Sequence, residues 1–230
     1  MRRFATFACK ESAMRRAAAL IFSALAAGSA AAQEISVAGS PAELPAGQYR
    51  EDASHTTVLF RVDHLGFSNY TAGFGEVSIL ADLDPSDPAA ATLEVAIPVR
   101  SLQLPSPPEG FRDMLLGPEW FDAETHPDIR FVSTGIEMTG ETRADIHGEL
   151  TLHGVTQPVT LAARYNGGWA GHVYDPNARI GFSATAEISR TAFGMGFGTP
   201  SAAMPGVSDT VHITIETELV GPAWTAPQAD

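Results

Sequence analysis

Seven histidines, two Gly-Phe-Ser tripeptides and one glycine-rich run are the residues whose types and spacing could do chemistry in this 230-residue chain. The histidines (His55, His64, His126, His147, His153, His172 and His212) form no HExxH pair and have no neighbouring cysteine, so a metal centre would have to assemble from distant strands. GFSNY at 66–70 and GFSAT at 181–185 lack the second glycine of a nucleophile elbow, which leaves a serine hydrolase without a motif. FGMGFG at 193–198 has the glycines of a phosphate loop, but it follows a strand pattern and leads into the proline-bearing TPSAAMPG. It reads as a rim loop. No catalytic residue, metal-ligand set or cofactor is assigned from these features.

The remaining histidine question lies in VLFRVDHLGF, residues 58–67, where Val58, Phe60, Val62 and His64 share one face of an extended chain. That face either packs into a solid core or lines a cavity. Similar period-two runs recur between turn residues. Leu93, Val95, Ile97 and Val99 fall together in one run, Ile146, Leu150 and Leu152 in another, and Val159, Leu161, Ala163 and Tyr165 in a third. Ile180, Phe182, Ala184, Ala186 and Ile188 then align, as do Val211, Ile213, Ile215 and Leu219 with Thr217. Their opposite faces carry charged and hydroxyl side chains, the signature of antiparallel strands with one wet face closed into a sandwich or barrel.

One stretch breaks the pattern. SLQLPSPPEGFRDMLLGPEWFDAETHPDIRF contains five prolines between Pro105 and Pro127, and Phe111, Met114 and Leu115 stand at i, i+3 and i+4. The spacing predicts one or two short helices crossing one end of the sheet, with a further turn after Pro118 carrying Trp120 and Phe121.

Residues 1–32 read as a secretory signal peptide: Arg15 and Arg16 supply the positive region, Ala17 to Ala27 the apolar region, and Ala30 to Ala32 the cleavage site. Met14 is then the expected start, with 1–13 an upstream extension. The apolar run is shorter than the roughly 20 residues of a spanning helix. Cleavage would remove Cys9, the single cysteine, and with it all thiol chemistry. It would also remove five of the 14 basic residues (Arg2, Arg3, Lys10, Arg15, Arg16) and one of the 27 acidic residues (Glu11), leaving 9 − 26 = −17 and no lysine. A field of that sign repels nucleic acid and anionic lipid surfaces. The expected organisation is a lead at 33–46, one domain at 47–220 and a tail at 221–230.

Ordered pieces through most of that domain resemble the YceI family of secreted, lipocalin-like proteins. They comprise Tyr49, Asp52, His55 and Phe60, then His64, Gly73 and Phe74, then Ser101 and Arg112-Asp113. WFDAETHPDIRFVST follows with Phe121, Asp122, Pro127, Phe131 and Ser133-Thr134. The most specific piece is GELTLHGVTQPVTL, with Gly148, Leu150, His153, Gly154, Val155 and Pro158. Arg190, Phe193, Gly194 and Met195 in ISRTAFGM, and the closing VSDTVHITIETEL, complete the series. Trp120 and Met114 depart from the residues usual at their places, and the proline-rich 101–110 and the long GFGTPSAAMPG bear on the shape of the cavity mouth.

The resemblance implies an all-β fold, an antiparallel lipocalin-like barrel of about eight strands with a short helical crossover, enclosing an apolar channel for a polyisoprenoid or similar amphiphile. Alternation then nominates Phe60, Val62, His64, Phe74, Val95, Ile97, Phe131, Leu150, Leu152, Leu161, Phe182 and Ile188 as channel liners. Met114, Leu115, Phe121, Phe193 and Met195 are expected to contribute from the crossover and rim. Arg112 and Arg190 are the head-group candidates. The expected function is a non-enzymatic periplasmic carrier of an isoprenoid quinone or polyprenyl lipid, with a membrane redox protein as a candidate partner. The alternatives are a metal-dependent or histidine-based enzyme, and a filled barrel that acts only as an interaction partner. The absence of lysine and the acidic field favour a neutral quinone head over a phosphorylated one.

Overall fold

The computed structural model describes residues 37–224, and the expected signal peptide lies outside the described residues. Strands account for nearly all of the regular structure. They are β1 (Gly47–Glu51), β2 (Thr57–His64), β3 (Ser68–Phe74), β4 (Ser78–Leu83), β5 (Thr92–Pro98), β6 (Leu102–Gln103), β7 (Asp128–Gly140), β8 (Arg143–Leu152), β9 (Val155–Trp169), β10 (Asn177–Ser189) and β11 (Val207–Ala223). Each is antiparallel to its neighbours.

Eleven segments make eight staves. Both β1 and β2 run along β11, at Val220 and at Val207–Glu216, so they are two halves of one stave bent at 52–56. In the same way β3 and β4 form one stave, pairing with β2 and β1, and β5 and β6 form another, pairing with β4 and β3. From there β5–β7–β8–β9–β10–β11 continue in sequence order, and β11 closes on β1 and β2. The result is an up-and-down, closed eight-stave barrel, which leaves no long sheet edge unpaired.

The period-two patterns explain the closure. Every second residue of these strands is apolar, and a barrel is the arrangement in which a single sheet buries one face against itself. Register is fixed at the β8–β9 hairpin, where His153 and Gly154 take φ of 52° and 75°. Two successive positive φ values give the two-residue turn whose twist matches that of the strands. Gly148 on β8 is a space requirement: a Cβ there would lie 2.3 Å from the Phe131 ring, which fills the gap from the neighbouring strand.

The connection from β6 to β7 caps one end of the barrel and contains the single α-helix among the described residues, α1 (Phe111–Leu116). No helix among the described residues is long and apolar enough to cross a membrane. Of the one or two short helices expected, α1 is present, and after Pro118 the chain makes turns, with the amide of Trp120 donating to Gly117 O and those of Thr125 and His126 to Asp122 O. Val99, Leu102, Leu115, Leu116 and Ala123 form the small core beneath this cap.

Both flanks of the domain are more ordered than their composition suggested. The amide of Ala38 donates to Gly168 O, and a capping box of Ser40 and Glu43 starts a 3-10 turn at Pro41–Glu43. β11 runs on past Leu219 to Ala223, because Gly221 lies flat against the Tyr49 ring where a Cβ would come within 2.2 Å. Gly221 and Pro222 sit in a register shift between the Arg179–Val220 and Asn177–Ala223 pairs, where the missing proline N–H leaves no ladder bond unmade.

Candidate functional site

A cavity of about 650 Å3 runs through the barrel from the cap to the opposite end. Its size falls within the roughly 300 to 1,000 Å3 usual for ligand pockets. Side chains do not fill this barrel.

The inward faces of the strands make the wall. Phe60, Val62 and His64 from β2, Phe74 from β3, and Val95 and Ile97 from β5 line the cavity, as do Phe131 from β7 and Leu150 and Leu152 from β8. Leu161, Phe182 and Ile188 continue it through β9 and β10, and Leu115, Phe121 and Met195 reach it from the cap and the rim. Alternation along a barrel strand makes this placement nearly automatic once the register is set. His64 stands at the mouth and is exposed, so it is neither a core histidine nor an enclosed one.

Three of the nominated residues lie elsewhere. Met114 is 47% exposed, because the buried arc of this short helix is centred on Phe111, Leu115, Arg112 and Leu116, and Met114 falls on the far side. The i, i+3 spacing was real but pointed the wrong way, since a helix of six residues takes its orientation from whatever packs beneath it. Phe193 is buried among residues of the main core without lining the cavity. It closes a 3-10 turn at Thr191–Phe193 and acts as packing behind the wall. Arg112 is spent on the scaffold: its Nε donates to Leu102 O at 3.0 Å and its second nitrogen to Arg100 O, fastening α1 to the strand before it.

Arg190 does touch the cavity, yet four of the five N–H donors of its guanidinium are already engaged. It donates to Ser208 O, Met195 O, Phe197 O and Val207 O at 2.6–2.9 Å, and its side chain lies over the Trp120 ring at 5.5 Å. Burial lowers its pKa, opposed by the Asp209 charge, and an arginine so placed stays protonated at neutral pH. It pins the glycine-rich rim loop, the segment that looked like a phosphate cradle in sequence.

Two polar groups that the sequence reading missed stand beside the cap end of the cavity. Tyr70 Oη and Trp120 Nε1 are buried and have no hydrogen-bond partner among the described residues, and both side chains line the cavity. Burial raises the Tyr70 pKa, which keeps the phenol neutral and able to donate. Tyr70 was within reach of the alternation argument, since it lies two and four residues before Ala72 and Phe74 on the same face. At the other end the lining includes Asp84 from the β4–β5 connection, Glu141 and Thr142 from the β7–β8 turn, and Arg143 at the start of β8.

Comparison with known proteins places this geometry in a group. The YceI-like domain model matches residues 49–219. A UPF0312 protein of Pseudomonas putida is 32% identical over 163 residues, covering 68% of this chain and 80% of that protein. The UPF0312 protein of Pseudomonas fluorescens is 30% identical over 187 residues, covering 79% and 90%. Among solved structures, Burkholderia cenocepacia BcnA superposes with a TM-score of 0.62 at 25% identity, covering 73% of this chain and 98% of that one. A polyisoprenoid binding domain from Saccharophagus degradans shares the fold alone, with a TM-score of 0.57 at 13% identity over 77% and 100% of the two chains. With an eight-stave barrel, a hollow apolar axis and a family match that spans the barrel almost from first strand to last, the chain belongs to the YceI-like family.

Proposed function

We propose that this protein is a non-enzymatic carrier that holds one isoprenoid lipid with a neutral, hydrogen-bond-accepting head, of the isoprenoid quinone class, in its barrel. The observation that carries the reading is a cavity of about 650 Å3 walled by apolar side chains, with two unpaired donors and no uncommitted arginine at its capped end. The energetics favour such a cargo. Burial is worth about 0.8 kcal/mol per methylene, so each five-carbon unit contributes very roughly 4 kcal/mol. Four units, about 16 kcal/mol, then outweigh the roughly 4 to 15 kcal/mol lost on association.

The head group follows from where the cations are spent. A phosphate or diphosphate needs charge-assisted donors, and Arg112 and Arg190 already serve backbone carbonyls. A quinone carbonyl needs only neutral donors, which Tyr70 and Trp120 can supply. The polyisoprenoid ligand named for the Saccharophagus domain agrees with the tail. The signal-like sequence at 1–32 supports export, and we assign the carrier to the periplasm, where a lipid tail has to be shielded from water between membranes.

The test is a competition between a long-chain quinone and a polyprenyl phosphate of equal tail length, followed by fluorescence, since Trp120 lines the cavity and reports its occupancy. The quinone is expected to displace the phosphate at physiological salt. Tighter retention of the phosphate would overturn the head-group assignment while leaving the lipid channel intact.

A further inference from the structure

We infer that Asp122, His126 and His153 form a binding site for one divalent transition-metal ion, of the zinc class, at the seam between the cap and the barrel. Nothing in the linear spacing announces it: two ligands come from the β6–β7 connection and the third from the β8–β9 turn. In the folded chain one ligand atom from each lies within 4.8 Å of the other two. None of the three lines the lipid cavity, so the site is separate from the channel.

His153 decides the matter. Its Nδ1 lies 3.2 Å from Phe193 O, and a carbonyl oxygen can only accept, so Nδ1 carries the proton. In the neutral ring the opposite nitrogen, Nε2, is then a lone pair, and it is buried with no hydrogen-bond partner among the described residues. A metal-bound histidine characteristically donates its second ring nitrogen to a backbone carbonyl, which fixes the tautomer and aims the lone pair at the ion. Buried acceptors without donors are rare and costly, and a cation satisfies this one.

The other two ligands are held by the same seam. His126 is seated over the hairpin turn so closely that a Cβ on Gly154 would lie 2.4 Å from its ring, and its ring centre is 5.2 Å from that of His153. Asp122 and His126 are joined by a turn in which the His126 amide donates to Asp122 O at 2.8 Å. Ligands around one zinc ion, at about 2.0 to 2.2 Å from it, stand roughly 3.3 Å apart, so modest side-chain rotations close the present set. Two imidazoles and a carboxylate select zinc, cobalt, nickel or ferrous iron over magnesium and calcium, which prefer oxygen alone.

A second trio, Asp52, His55 and Glu218, has comparable spacing and makes a useful contrast. Its Asp52 already accepts from Ser54 and Arg179, and Arg179 also reaches Glu218, so its acceptors have donors. Charge pairing explains that cluster completely.

The experiment titrates Zn2+ and Co2+ into chelator-treated mature protein, with calorimetry for stoichiometry and visible absorption for cobalt geometry. One ion per chain is expected, with affinity falling at least 10-fold in His126→Gln, His153→Gln and Asp122→Asn and unchanged in His55→Gln. Circular dichroism and urea unfolding confirm that each variant keeps its barrel. Absence of saturable binding overturns the site, and so does binding that persists at full strength in His153→Gln or disappears in His55→Gln. Because the readout is metal binding alone, its failure says nothing for or against the lipid channel.

Discussion

Arg190 shows how a single side chain can look like a ligand contact and be a structural tie. Four backbone carbonyls share one guanidinium, and each charge-assisted bond of this kind contributes about 1.5 to 3 kcal/mol. Arg190→Met, which keeps the stem over Trp120 and removes the donors, is expected to destabilise the protein by about 3 kcal/mol or more, measured by urea unfolding. Tyr70→Phe removes a lone donor that has no protein partner, so stability is expected to hold within about 0.5 kcal/mol. Trp120→Phe also gives up ring volume against Phe197 and Arg190 and is expected to cost about 1 to 2 kcal/mol. Quinone affinity is expected to fall roughly 5- to 10-fold for each. Unchanged quinone affinity in both variants would contradict their role as head-group donors. At this scale the sequence was legible in part. The inward parity of Phe60, Val62 and Phe74 followed from alternation alone. The fates of Arg112 and Arg190 did not, because backbone carbonyls that compete for a guanidinium leave no mark in a sequence.

Strands and loops differed in the same way. Period-two runs located β5 and β8 to β11 and assigned their buried faces, since a strand repeats its environment every second residue and so writes it into the sequence. Such repetition is missing from the capping connection. Six residues of α1 give too little periodicity to fix a face, and Met114 was consequently placed inside when it is exposed. The β8–β9 turn is a two-residue turn with positive φ at both His153 and Gly154. Gly154→Ala is expected to cost about 1 to 3 kcal/mol in thermal or chemical unfolding, since the new methyl adds backbone strain to a contact with His126. The channel makes its own prediction on β10. Ala184 lines the cavity, and Ala184→Trp would occupy the space of the lipid tail. Lipid uptake is expected to be abolished with the β-sheet circular dichroism retained; full uptake by this variant would mean that the cargo binds elsewhere.

For the molecule as a whole, pH probes the ties that close the barrel. Hydrogen bonds from Ser54, followed by the Arg179 guanidinium, hold the Asp52 carboxyl well below the usual carboxylate range. Arg179 also bonds Asp175 and Glu218, so this cluster joins the bend after β1 to β10 and β11. A lowered folded-state pKa contributes stability that is present above the unfolded value of about 4 and is lost as pH falls through the folded value. Acid unfolding is therefore expected to weaken the closure below about pH 4, and Asp52→Asn is expected to flatten that limb of the stability profile. Burial, reinforced by Tyr165, pushes the Tyr49 phenol up to about 12. Its contribution runs the other way: fully present below about pH 10 and lost as pH rises toward 12.

The eight-stave barrel and the family were both legible from ordered motifs between residues 49 and 219. Whether the barrel was hollow was not, because inward apolar residues are required equally by a packed core and by a channel wall, and only the summed volumes of the facing side chains decide. The most direct measurement of the central claim is native mass spectrometry, with lipid extraction, of protein expressed as the whole chain and purified without detergent. One long-chain neutral isoprenoid per protein, lost in Ala184→Trp, is the expected result. Protein that emerges empty and takes up neither quinone nor polyprenol would contradict the carrier account.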